Sequence, residues 1–575
     1  MSLINDGINW VKTDEEGIPV TKVLEELTWA GKPSAAAFGK GQAWFRDIGA
    51  IGYSDGVTWA VTGEGDLYKT NGIAFNEFLT GTSSLTHSTT GAGATLATST
   101  AYGGRGVTIT QNTGENIQST LTFNCAAPFR LEADTVICWL LHMVDPGGIS
   151  SFRTEVTTQA KNFAGYLSVA SPDTAGAAPV NQGGGQAVMY VLGSLLDTGV
   201  TGDGSVRIGS YIDRIRLVVK LTAGTKLTVL GCYANPMNIT AIPITFDDGY
   251  ESSYLEGFTY MQKKGLRGTM AINTHTIETT GRMKLRQMQD VYKAGWDVVN
   301  HSHSHRHVSF GYGVTLSTVG PCNQIATAQT ASAGVPLTLD GTIADAVFDT
   351  PRCIVFKYAS SPSASYIYVT INGIDENGIE RTVTFPQFTN TQCATEYVWT
   401  KVNSVVLNKD AGVTVAVGVS LSYDEILTEV LPPKTYLANN GFNRGADIYV
   451  APFGEENILL RRVLADLGYK YLRRTRTNVE YPFLCPTCMA MGAAGDGITP
   501  GDSATLINYA NKLVAHRGSG GMYLHSIVED SATPNSSEAR VSDFRLVIDD
   551  YAAKQAAGTA IFPTYSEYVR MCGYS

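Results

Sequence analysis

From Met237 onward, short apolar runs alternate with segments whose apolar side chains have helical spacing. The run "AIPITF" predicts a buried strand, and Tyr254, Phe258 and Met261 follow it at helical spacing. The strand "GTMAIN", the helix "RMKLRQMQDVYKAG" and the strand "WDVVN" continue the pattern to Asn300. Alternation of strand and helix is typical of a parallel sheet, since a crossover helix must return the chain to the same end. The sequence therefore predicts an α/β domain with an open or barrel-like sheet.

This alternation stops at about residue 308 and resumes at about residue 422. Between these points the sequence is β-type, and "SYIYVTINGIDENGIERTVTF" predicts two strands joined at Asn377-Gly378. From "SYDEILTEVL" to "TAIF", strand and helix patterns alternate again. We interpret residues 237–308 and 422–575 as one α/β domain, and residues 309–421 as an inserted β-domain.

The residues before Met237 favour strands. Residues 1–75 contain short apolar stretches separated by glycine, with a turn signal at Asp55-Gly56, and predict a small β module. Residues 76–236 are rich in Gly, Thr and Ser and end in two alternating strands around Gly224, which predicts a β-sandwich. Two roles stay open for that sandwich: a sugar-binding module, or a structural spacer or trimerisation surface.

Composition excludes several classes of function. The 575 residues predict roughly three to four domains of about 150 residues each. The net charge is −10 and no Lys/Arg cluster could form a phosphate-binding stripe, so nucleic acid is not an expected partner. No run approaches the roughly 18 apolar residues needed to span a bilayer. The start "MSLINDGINWVKTDEEG" has no signal-peptide pattern, so we expect neither a membrane segment nor a signal peptide.

Nine cysteines, an odd number, are scattered along the chain, and most lie in apolar runs. We expect buried, reduced thiols. Cys485 and Cys488 in "CPTC" form a lone C-x-x-C, which is a weak signal for zinc or redox chemistry.

The run "NHSHSHRH" at 300–307 follows a predicted strand and places a histidine at every second position. On a strand all four would face one side, whereas on a helical turn positions i and i+4 coincide. The turn would separate His301 and His305 from His303 and His307. The backbone conformation decides between these arrangements.

Two other polar segments follow predicted strands, "TFDDGY" with Asp247 and Asp248, and "YLHS" with His525. Side chains just past strand ends share the face where α/β folds build active sites. Of two adjacent carboxylates, one could bind a cation and the other act as a general base, although "DDG" is also a common simple turn.

Taken together, "TFDDGY", "NHSHSH", the Pro452–Gly454 turn "PFG" and "LH" at 524–525 resemble the polysaccharide deacetylase family, the NodB-homology carbohydrate esterases. The resemblance covers about 220 residues outside the insertion. It implies a distorted (β/α) barrel and a hydrolase that removes N- or O-linked acetyl groups by means of a metal-activated water.

The resemblance also implies site residues. Asp247 would be the catalytic base and His525 the acid, while Asp248, His301 and His305 would bind the metal. One carboxylate and two imidazoles leave open positions on a divalent ion, as a catalytic site requires; zinc is the default, and Co²⁺, Ni²⁺ or Fe²⁺ suit similar ligands. The expected supporting residues are Tyr250, Pro452, Phe453, Gly454 and Arg474. We expect Ser302 to fix the loop, and His303 and His307 to lie outside the metal site. His275, after the strand "GTMAIN", could face the same site.

Two departures from the family pattern concern the base and the acid. The family carries an Arg two positions before the Pro of its third motif, and this chain has Val450 there. Arg473 or Arg474, at the end of the next strand, could reach Asp247 instead. The aspartate-rich fourth motif is not recognisable in "YKYLRRTRTNVEYPF", so His525 has no predicted orienting partner.

The "YSDG-x-x-W" pattern at 53–59 resembles N-terminal modules of bacteriophage tail fibre and tailspike proteins, and residues 336–378 look like a small β-domain of phage virion proteins. This implies a virion tail protein, a homotrimer that contacts other tail proteins through its N-terminus, and an acetylated bacterial polysaccharide at the host surface as substrate. One alternative is a receptor-binding adhesin that keeps the fold and the metal without turnover. Another is a purely structural tail component with no metal.

Overall fold

A computed structural model describes residues 85–90, 94–98, 106–112, 117–143, 149–158, 160–170, 180–181, 186–192, 196, 199–221, 226–234, 239–307, 324–358, 367–387, 392–408, 410, 412, 414–475, 490–494, 503–535 and 537–571, together with seven short strands between residues 4 and 77. No helix in these ranges is long and apolar enough to cross a membrane. Where one domain ends and the next begins stays a prediction.

Six strands precede residue 62: β1 (Ile4–Asn5), β2 (Trp10–Val11), β3 (Glu25–Leu27), β4 (Lys40–Phe45), β5 (Ala50–Asp55) and β6 (Trp59–Val61). Strands β3 to β6 form one sheet in sequence order, and β5 pairs with β6 antiparallel, with Ser54 opposite Trp59. The predicted turn at Asp55-Gly56 continues into residues 56–58, which lie outside the described residues.

Thirteen strands follow: β7 (Ile73–Glu77), β8 (Leu85–Thr89), β9 (Ala94–Thr98), β10 (Val107–Gln111), β11 (Ile117–Arg130), β12 (Val136–Met143), β13 (Ile149–Thr157), β14 (Gly165–Ala170), β15 (Val180–Asn181), β16 (Gln186–Leu192), β17 (Val200–Gly202), β18 (Tyr211–Leu221) and β19 (Lys226–Ala234). They form two sheets, in the orders β15-β16-β12-β19-β10-β9, with β7 on β19, and β17-β14-β13-β18-β11-β8. Alternate side chains of both sheets bury in one core, where the rings of Phe123 and Trp139 lie 5.6 Å apart. The two sheets therefore pack as a sandwich.

Seven parallel strands close a barrel: β21 (Ile244–Phe246), β22 (Thr269–Ile272), β23 (Asp297–Asn300), β30 (Ile448–Val450), β31 (Tyr471–Thr475), β32 (Ala490–Ala494) and β33 (Gly521–Leu524). The side chains of the other six, leaving β32 aside, are mostly buried on both faces, as continuous apolar runs require. Four short strands flank the barrel: β20 (Thr240–Ala241), β34 (Ser526–Val528), β35 (Glu538–Arg540) and β36 (Ala560–Ile561).

The helices around the barrel are α1 (Thr259–Lys263), which continues a π-helical segment at Ser253–Phe258, α2 (Leu285–Lys293), α3 (Tyr423–Asn439), α4 (Ile458–Asp466), α5 (Ser503–Ala515), α6 (Val541–Ala556) and α7 (Tyr565–Met571). Phe258, Met261, Met288 and Val291 are buried, so the helical spacing read from the sequence identified the inward sides of the first two helices. Strand β32 and helix α7 were not predicted. The β32 sequence "AMGAA" has neither the β-branched nor the aromatic residues that favour strands.

Between β23 and β30 the chain builds a separate antiparallel sheet from β24 (Gln324–Thr330), β25 (Val347–Tyr358), β26 (Ile367–Asp375), β27 (Glu380–Gln387), β28 (Gln392–Leu407) and β29 (Thr414–Val419). The hairpin between β26 and β27 turns at Gly378, whose φ is 76°, as the Asn-Gly signal predicts. This sheet has its own core around Trp399.

Among the described cysteines, Cys138, Cys232 and Cys353 are buried, as expected, and Cys125 is partly exposed. Cys485 and Cys488 lie outside the described residues.

Candidate metal centre

The first acidic loop follows β21 at the carboxyl edge of the barrel. The Asp247 amide donates to the carbonyl of Leu524 on β33 at 2.7 Å. Asp248 has a φ of 67°, a left-handed conformation that is uncommon for a residue with a side chain. The Arg282 guanidinium donates to the Asp248 carbonyl at 2.7 Å and so helps to hold this turn. The two adjacent carboxylates consequently have different partners, Arg473 for Asp247 and the histidines for Asp248.

The histidine loop begins where β23 ends at Asn300. The Ser302 amide donates to the Asn300 side-chain oxygen, and the His305 amide donates to the Ser302 hydroxyl, both at 2.8 Å. Ser302 and His305 have φ values of 66° and 57°, so the segment is a turn and not a continued strand. The rings of His301 and His305 come together, with centroids 5.0 Å apart. The turn thus brings His301 and His305 together, as the i, i+4 spacing predicts, and Ser302 is hydrogen-bonded within it; metal binding by the two histidines stays a prediction.

Three side chains converge at this edge. Asp248 Oδ1 lies 3.4 Å from His301 Nε2 and 3.2 Å from His305 Nε2, and the ligand atoms of all three residues lie within 4.8 Å of one another. His301 Nδ1 lies 2.8 Å from the Val450 carbonyl. A carbonyl oxygen only accepts, so Nδ1 carries the hydrogen, and Nε2 of the neutral ring presents its lone pair to Asp248.

These electron-rich atoms fit a divalent cation. Asp248 Oδ1 and His301 Nε2 are buried without a hydrogen-bond partner among the described residues. A carboxylate oxygen and an imidazole lone pair at this separation repel unless a proton or a cation lies between them. A neutral imidazole held through its other nitrogen by a backbone carbonyl is also how proteins orient a metal-binding histidine.

The local electrostatics favour the protonation states that metal binding needs. Burial raises the pKa of Asp248, but the neighbouring imidazole of His301, followed by that of His305, lowers it further, and the pKa falls well below its ordinary value. Burial, followed by the neighbouring His301, lowers the pKa of His305 to about 4. At neutral pH the site therefore offers an ionised carboxylate and a neutral His305.

Asp247 has an arginine partner from a neighbouring strand. Its side chain is buried, and one oxygen forms an ion pair with the fully buried Arg473. Strand β30 pairs with β31 so that Val450 lies opposite Arg473. Val450 occupies the position of the Arg in the family pattern, so here the guanidinium comes from the neighbouring strand. The supporting role predicted for Arg474 is corrected: Arg474 forms an ion pair with Glu456, and Arg473 makes the contact to Asp247.

His525 follows β33 at the same edge, directly after Leu524, which pairs with Phe246 at the end of β21. Its Nδ1 is buried without a hydrogen-bond partner among the described residues. The ring lies edge-on to Tyr523, with centroids 5.7 Å apart. His525 thus follows the strand that pairs with β21, at the edge where the first acidic loop begins, and its Nδ1 has no hydrogen-bond partner in the part of the chain that the structure describes.

The Pro452–Gly454 turn forms one wall of this edge. Phe453 has a φ of 56° and keeps 49% of its surface exposed. The His307 ring stacks on Phe453 at 3.6 Å and 6°, and its Nδ1 lies 2.8 Å from Glu455. His305 lies against Phe453 with centroids 4.6 Å apart. Phe453 is therefore held between His307 and the metal-site residue His305.

The other predicted residues lie around this centre. Tyr250 stacks under the Arg282 guanidinium, 3.8 Å from its ring centroid. His303 contacts Thr274 through Nδ1 at 3.0 Å and lies 5.5 Å from the His275 ring, so these two histidines pair with each other and are not part of the three-residue group.

Sequence reasoning missed Arg282 and Glu429. Glu429 on α3 is 4% exposed, and it accepts hydrogen bonds from the Ser304 amide at 2.9 Å and the Ser304 hydroxyl at 2.7 Å. It thereby anchors the middle of the histidine loop to a helix that follows the insertion. The available signal was a charged residue in the apolar run "EILTEVL".

No curated protein matches the chain. Among solved structures, the family 4 carbohydrate esterase from Streptomyces lividans, in complex with acetate, matches at 13% identity over 58% of this chain and 95% of its own, with a TM-score of 0.26. The Xyl-CE4 domain of a multidomain xylanase from the hindgut metagenome of Trinervitermes trinervoides matches at 10% identity over 58% and 92%, with a TM-score of 0.27.

The enzymatically active domain of bacteriophage CBA120 tailspike protein 4 matches at 14% identity over 29% of this chain and 21% of its own, with a TM-score of 0.19. TM-scores this low carry no inference about function. The family comparison is more specific, because it matches a polysaccharide deacetylase model directly to the sequence. Residues 234–332, which contain Asp247, Asp248, His301 and His305, match the polysaccharide deacetylase family over less than a fifth of the chain.

Proposed function

We propose that this chain is a metal-dependent hydrolase that removes acetyl groups from a polysaccharide. The observation that carries the proposal is the convergence of Asp248, His301 and His305 beside Asp247, at the barrel edge where His525 also lies. The family match at 234–332 covers the first two of these loops and supports deacetylation as the reaction.

Asp248, His301 and His305 would hold the divalent ion, and zinc suits two imidazoles and one carboxylate, with Co²⁺, Ni²⁺ or Fe²⁺ as further possibilities. Such an ion would supply Lewis acidity toward an acetyl carbonyl and a water molecule. The hydrogen bond from His301 Nδ1 to the Val450 carbonyl fixes the ring so that Nε2 faces Asp248, where it would be available to a metal ion.

Asp247 is the proposed general base. Arg473 binds one of its oxygens and leaves Oδ1, which is buried without a hydrogen-bond partner among the described residues, to accept a proton from water. Asp247 directly precedes the proposed metal ligand Asp248, which supports its assignment beside the ion. Arg473 would fix the orientation of this carboxylate and stabilise its charge.

His525 is the proposed general acid, which would protonate the leaving amine or alkoxide. A histidine suits this step because its ordinary pKa lies near neutrality. Phe453 and Tyr250 would contact the sugar ring at the rim, since each is an aromatic side chain beside the converging residues. Both N- and O-linked acetyl groups are compatible with these residues.

Acetate release from acetylated glycans tests this proposal. Metal-loaded protein should release acetate, while chelator or Asp247→Asn should abolish release, and Asp247→Asn should keep its metal. The adhesin alternative predicts bound metal without acetate release from a broad panel of N- and O-acetylated glycans. The structural alternative predicts no stoichiometric metal, and a metal content that His301→Ala and His305→Ala leave unchanged.

The biological setting stays a prediction from the sequence resemblance. We propose an acetylated bacterial surface polysaccharide as substrate and a phage tail protein, acting as a homotrimer, as carrier. The "YSDG-x-x-W" pattern in residues 53–59 and the β-rich region before Met237 support this setting. Sedimentation of the full chain would test the trimer.

A further inference from the structure

A group of arginine and aromatic side chains lies on the outer face of the sheet β17-β14-β13-β18-β11-β8. On β18, Ile215 and Leu217 point into the sandwich core, so Arg214 and Arg216 point the other way. On β13, Val156 points inward, and Glu155, directly opposite Arg216, points outward. We call the following six residues the arginine patch: Arg153, Glu155, Phe163, Tyr166, Arg214 and Arg216.

The charge of the arginine patch is positive in a chain whose net charge is −10. Glu155 is fully buried and bridged by Arg153 and Arg216, whose side chains stay 38% and 23% exposed. Three arginines against one glutamate leave a formal charge of +2. Because the Glu155 carboxylate is buried beneath the arginine side chains, the patch presents guanidinium groups to solvent.

Aromatic rings lie beside these guanidinium groups. The Arg216 guanidinium lies 3.8 Å from the centroid of the Phe163 ring and 5.1 Å from that of Tyr166. Both rings are partly exposed. Phe163 reaches the patch from a loop in which it and Asn162 have positive φ values of 64° and 44°. Such strained conformations persist only where surrounding contacts enforce them.

The side chains around Arg214 are carboxamides. Its Nε donates to the Asn124 side-chain oxygen at 2.9 Å, and its Nη1 donates to that of Asn162. Asn124 and Asn162 are exposed, and each keeps an amide group that can donate to a hydroxyl or carboxylate. The patch therefore combines cations, aromatic faces and amide donors on one sheet face.

We propose that the arginine patch binds a polysaccharide that carries carboxylate groups. A planar guanidinium pairs with a carboxylate through two parallel hydrogen bonds, which a neutral sugar does not offer. The C–H face of a sugar ring packs on an aromatic ring, and the amides bind hydroxyl groups. The choice of a polysaccharide rests on the proposed function, and the position and charge of the site come from the patch itself.

A glycan fits this patch better than nucleic acid does. Nucleic-acid binding relies on an extended basic stripe that follows a phosphate backbone, whereas these three arginines share a small area with two asparagines. A patch on the sandwich also lies outside the metal centre, so it would hold a polymer while the barrel acts on it.

Binding to purified polymers tests the proposal without any turnover. The probes are polygalacturonate, alginate and hyaluronate, the same polymers after reduction of their carboxyl groups to alcohols, and a duplex DNA of similar charge, all at one salt concentration. Metal-free full-length protein should bind at least one acidic polymer, and carboxyl reduction should weaken that binding about tenfold or more.

Substitutions in the patch should reproduce this loss. We expect Arg214→Gln and Phe163→Ala each to weaken binding to the acidic polymer about tenfold, and Arg216→Lys, which keeps the charge beside Glu155, to weaken it less. The control is Arg130→Gln, an arginine on the same sheet that is 60% exposed and outside the patch. Thermal melting would show that the variants are folded.

The proposal is overturned if none of the three acidic polymers binds, if their reduced forms bind equally well, if DNA binds as tightly, or if Arg214→Gln and Arg130→Gln behave alike. Because these measurements need no acetate release, they separate failure of the patch from failure of the deacetylase proposal. Loss of acetate release with intact glycan binding would overturn only the latter.

Discussion

At the scale of single residues, the arginine that contacts Asp247 distinguishes this site from the family pattern. Arg473 is buried against Asp247, and Arg474 next to it is equally buried against Glu456. Two consecutive arginines on one strand point to opposite sides, so only one of them can reach Asp247. This pair offers a matched comparison.

We expect Arg473→Lys to lower kcat by about 10²-fold or more, because the base would lose its fixed orientation while keeping a positive neighbour. KM and metal content should change little. Arg474→Lys is the control, and its kcat should stay within about tenfold of wild type. Steady-state kinetics with metal analysis would measure both variants, and equal losses would contradict the assigned role of Arg473.

His307 should help to position His305 through Phe453. His301 is fixed by a backbone carbonyl, whereas the His305 ring rests on Phe453, which stacks on His307. We expect His307→Ala to weaken metal binding about tenfold, the lower end of the effect of removing residues that orient ligands. His307→Phe keeps the stack and should retain the affinity.

A competition titration with a fluorescent chelator would measure these affinities. His303→Ala, in the same loop but packed on His275, should bind metal like wild type. If His307→Ala also binds like wild type, or if His307→Phe is as weak as His307→Ala, the stack does not position the ligand.

At the scale of elements, the Pro452–Gly454 turn depends on glycine. Gly454 has a φ of 66°, and an added Cβ would collide with the backbone nitrogen and side chain of Thr475 on β31. Gly468 has a φ of 74° with nothing within 4 Å of an added Cβ. Gly468→Ala should therefore cost about 1 kcal/mol of backbone strain, and Gly454→Ala should cost several-fold more.

Thermal or urea unfolding of the two glycine variants would measure this difference. Gly454→Ala should also reduce acetate release, because the turn carries Phe453 next to His305. Similar losses of stability in both variants would show that the contact with Thr475 relaxes easily.

Helix α3 connects the barrel to the inserted sheet through its first turn. Ser422 and Glu425 form a capping box, and Arg352 on β25 pairs with Glu425 at 2.6 Å. Burial raises the pKa of Glu425, but the hydrogen bonds from Ser422 and Arg352 lower it further, below its ordinary value of 4.5. This carboxylate stabilises the fold above pH 4.5, and that stabilisation is lost as the pH falls through its lowered pKa.

We therefore expect Glu425→Gln to melt below wild type near neutral pH, and the difference to shrink as the pH falls below 4.5. Asp424→Asn, at the neighbouring position of the same turn, is the control and should not show this convergence. Circular dichroism melts across this pH range would measure the effect. A constant difference at all pH values would mean that the charge of Glu425 is not its cause.

At the scale of the whole molecule, metal binding should stabilise only part of the chain. The proposed ligands belong to the barrel, whereas most buried apolar residues of the sandwich and of the inserted sheet belong to clusters of their own. Zinc at about one hundred times its dissociation constant should add roughly 2.7 kcal/mol to the unfolding free energy of the barrel. Calorimetry should show one transition that shifts with metal.

The other transitions should stay in place, and His301→Ala should remove the shift. A metal shift that persists in His301→Ala would place the ion elsewhere.

The sequence by itself determined those features that depend on residues close to one another along the chain. The spacing of apolar side chains identified the strands and helices that carry the site, and the "DDG" and "HSHSH" segments identified Asp248, His301 and His305. It did not reveal β32, whose "AMGAA" lacks strand-forming residues, because tertiary packing overrides so weak a preference.

The tertiary structure decided the contacts that join distant segments. The register of β30 and β31 selects Arg473 and not Arg474 for Asp247, and the Val450 carbonyl sets which His301 nitrogen faces the site. A shift of one residue in that register would reverse the two arginines. Register and closure of the barrel depend on all seven strands together, and no local pattern contains that information. The three converging side chains were therefore readable in the sequence, and the groups that orient them were not.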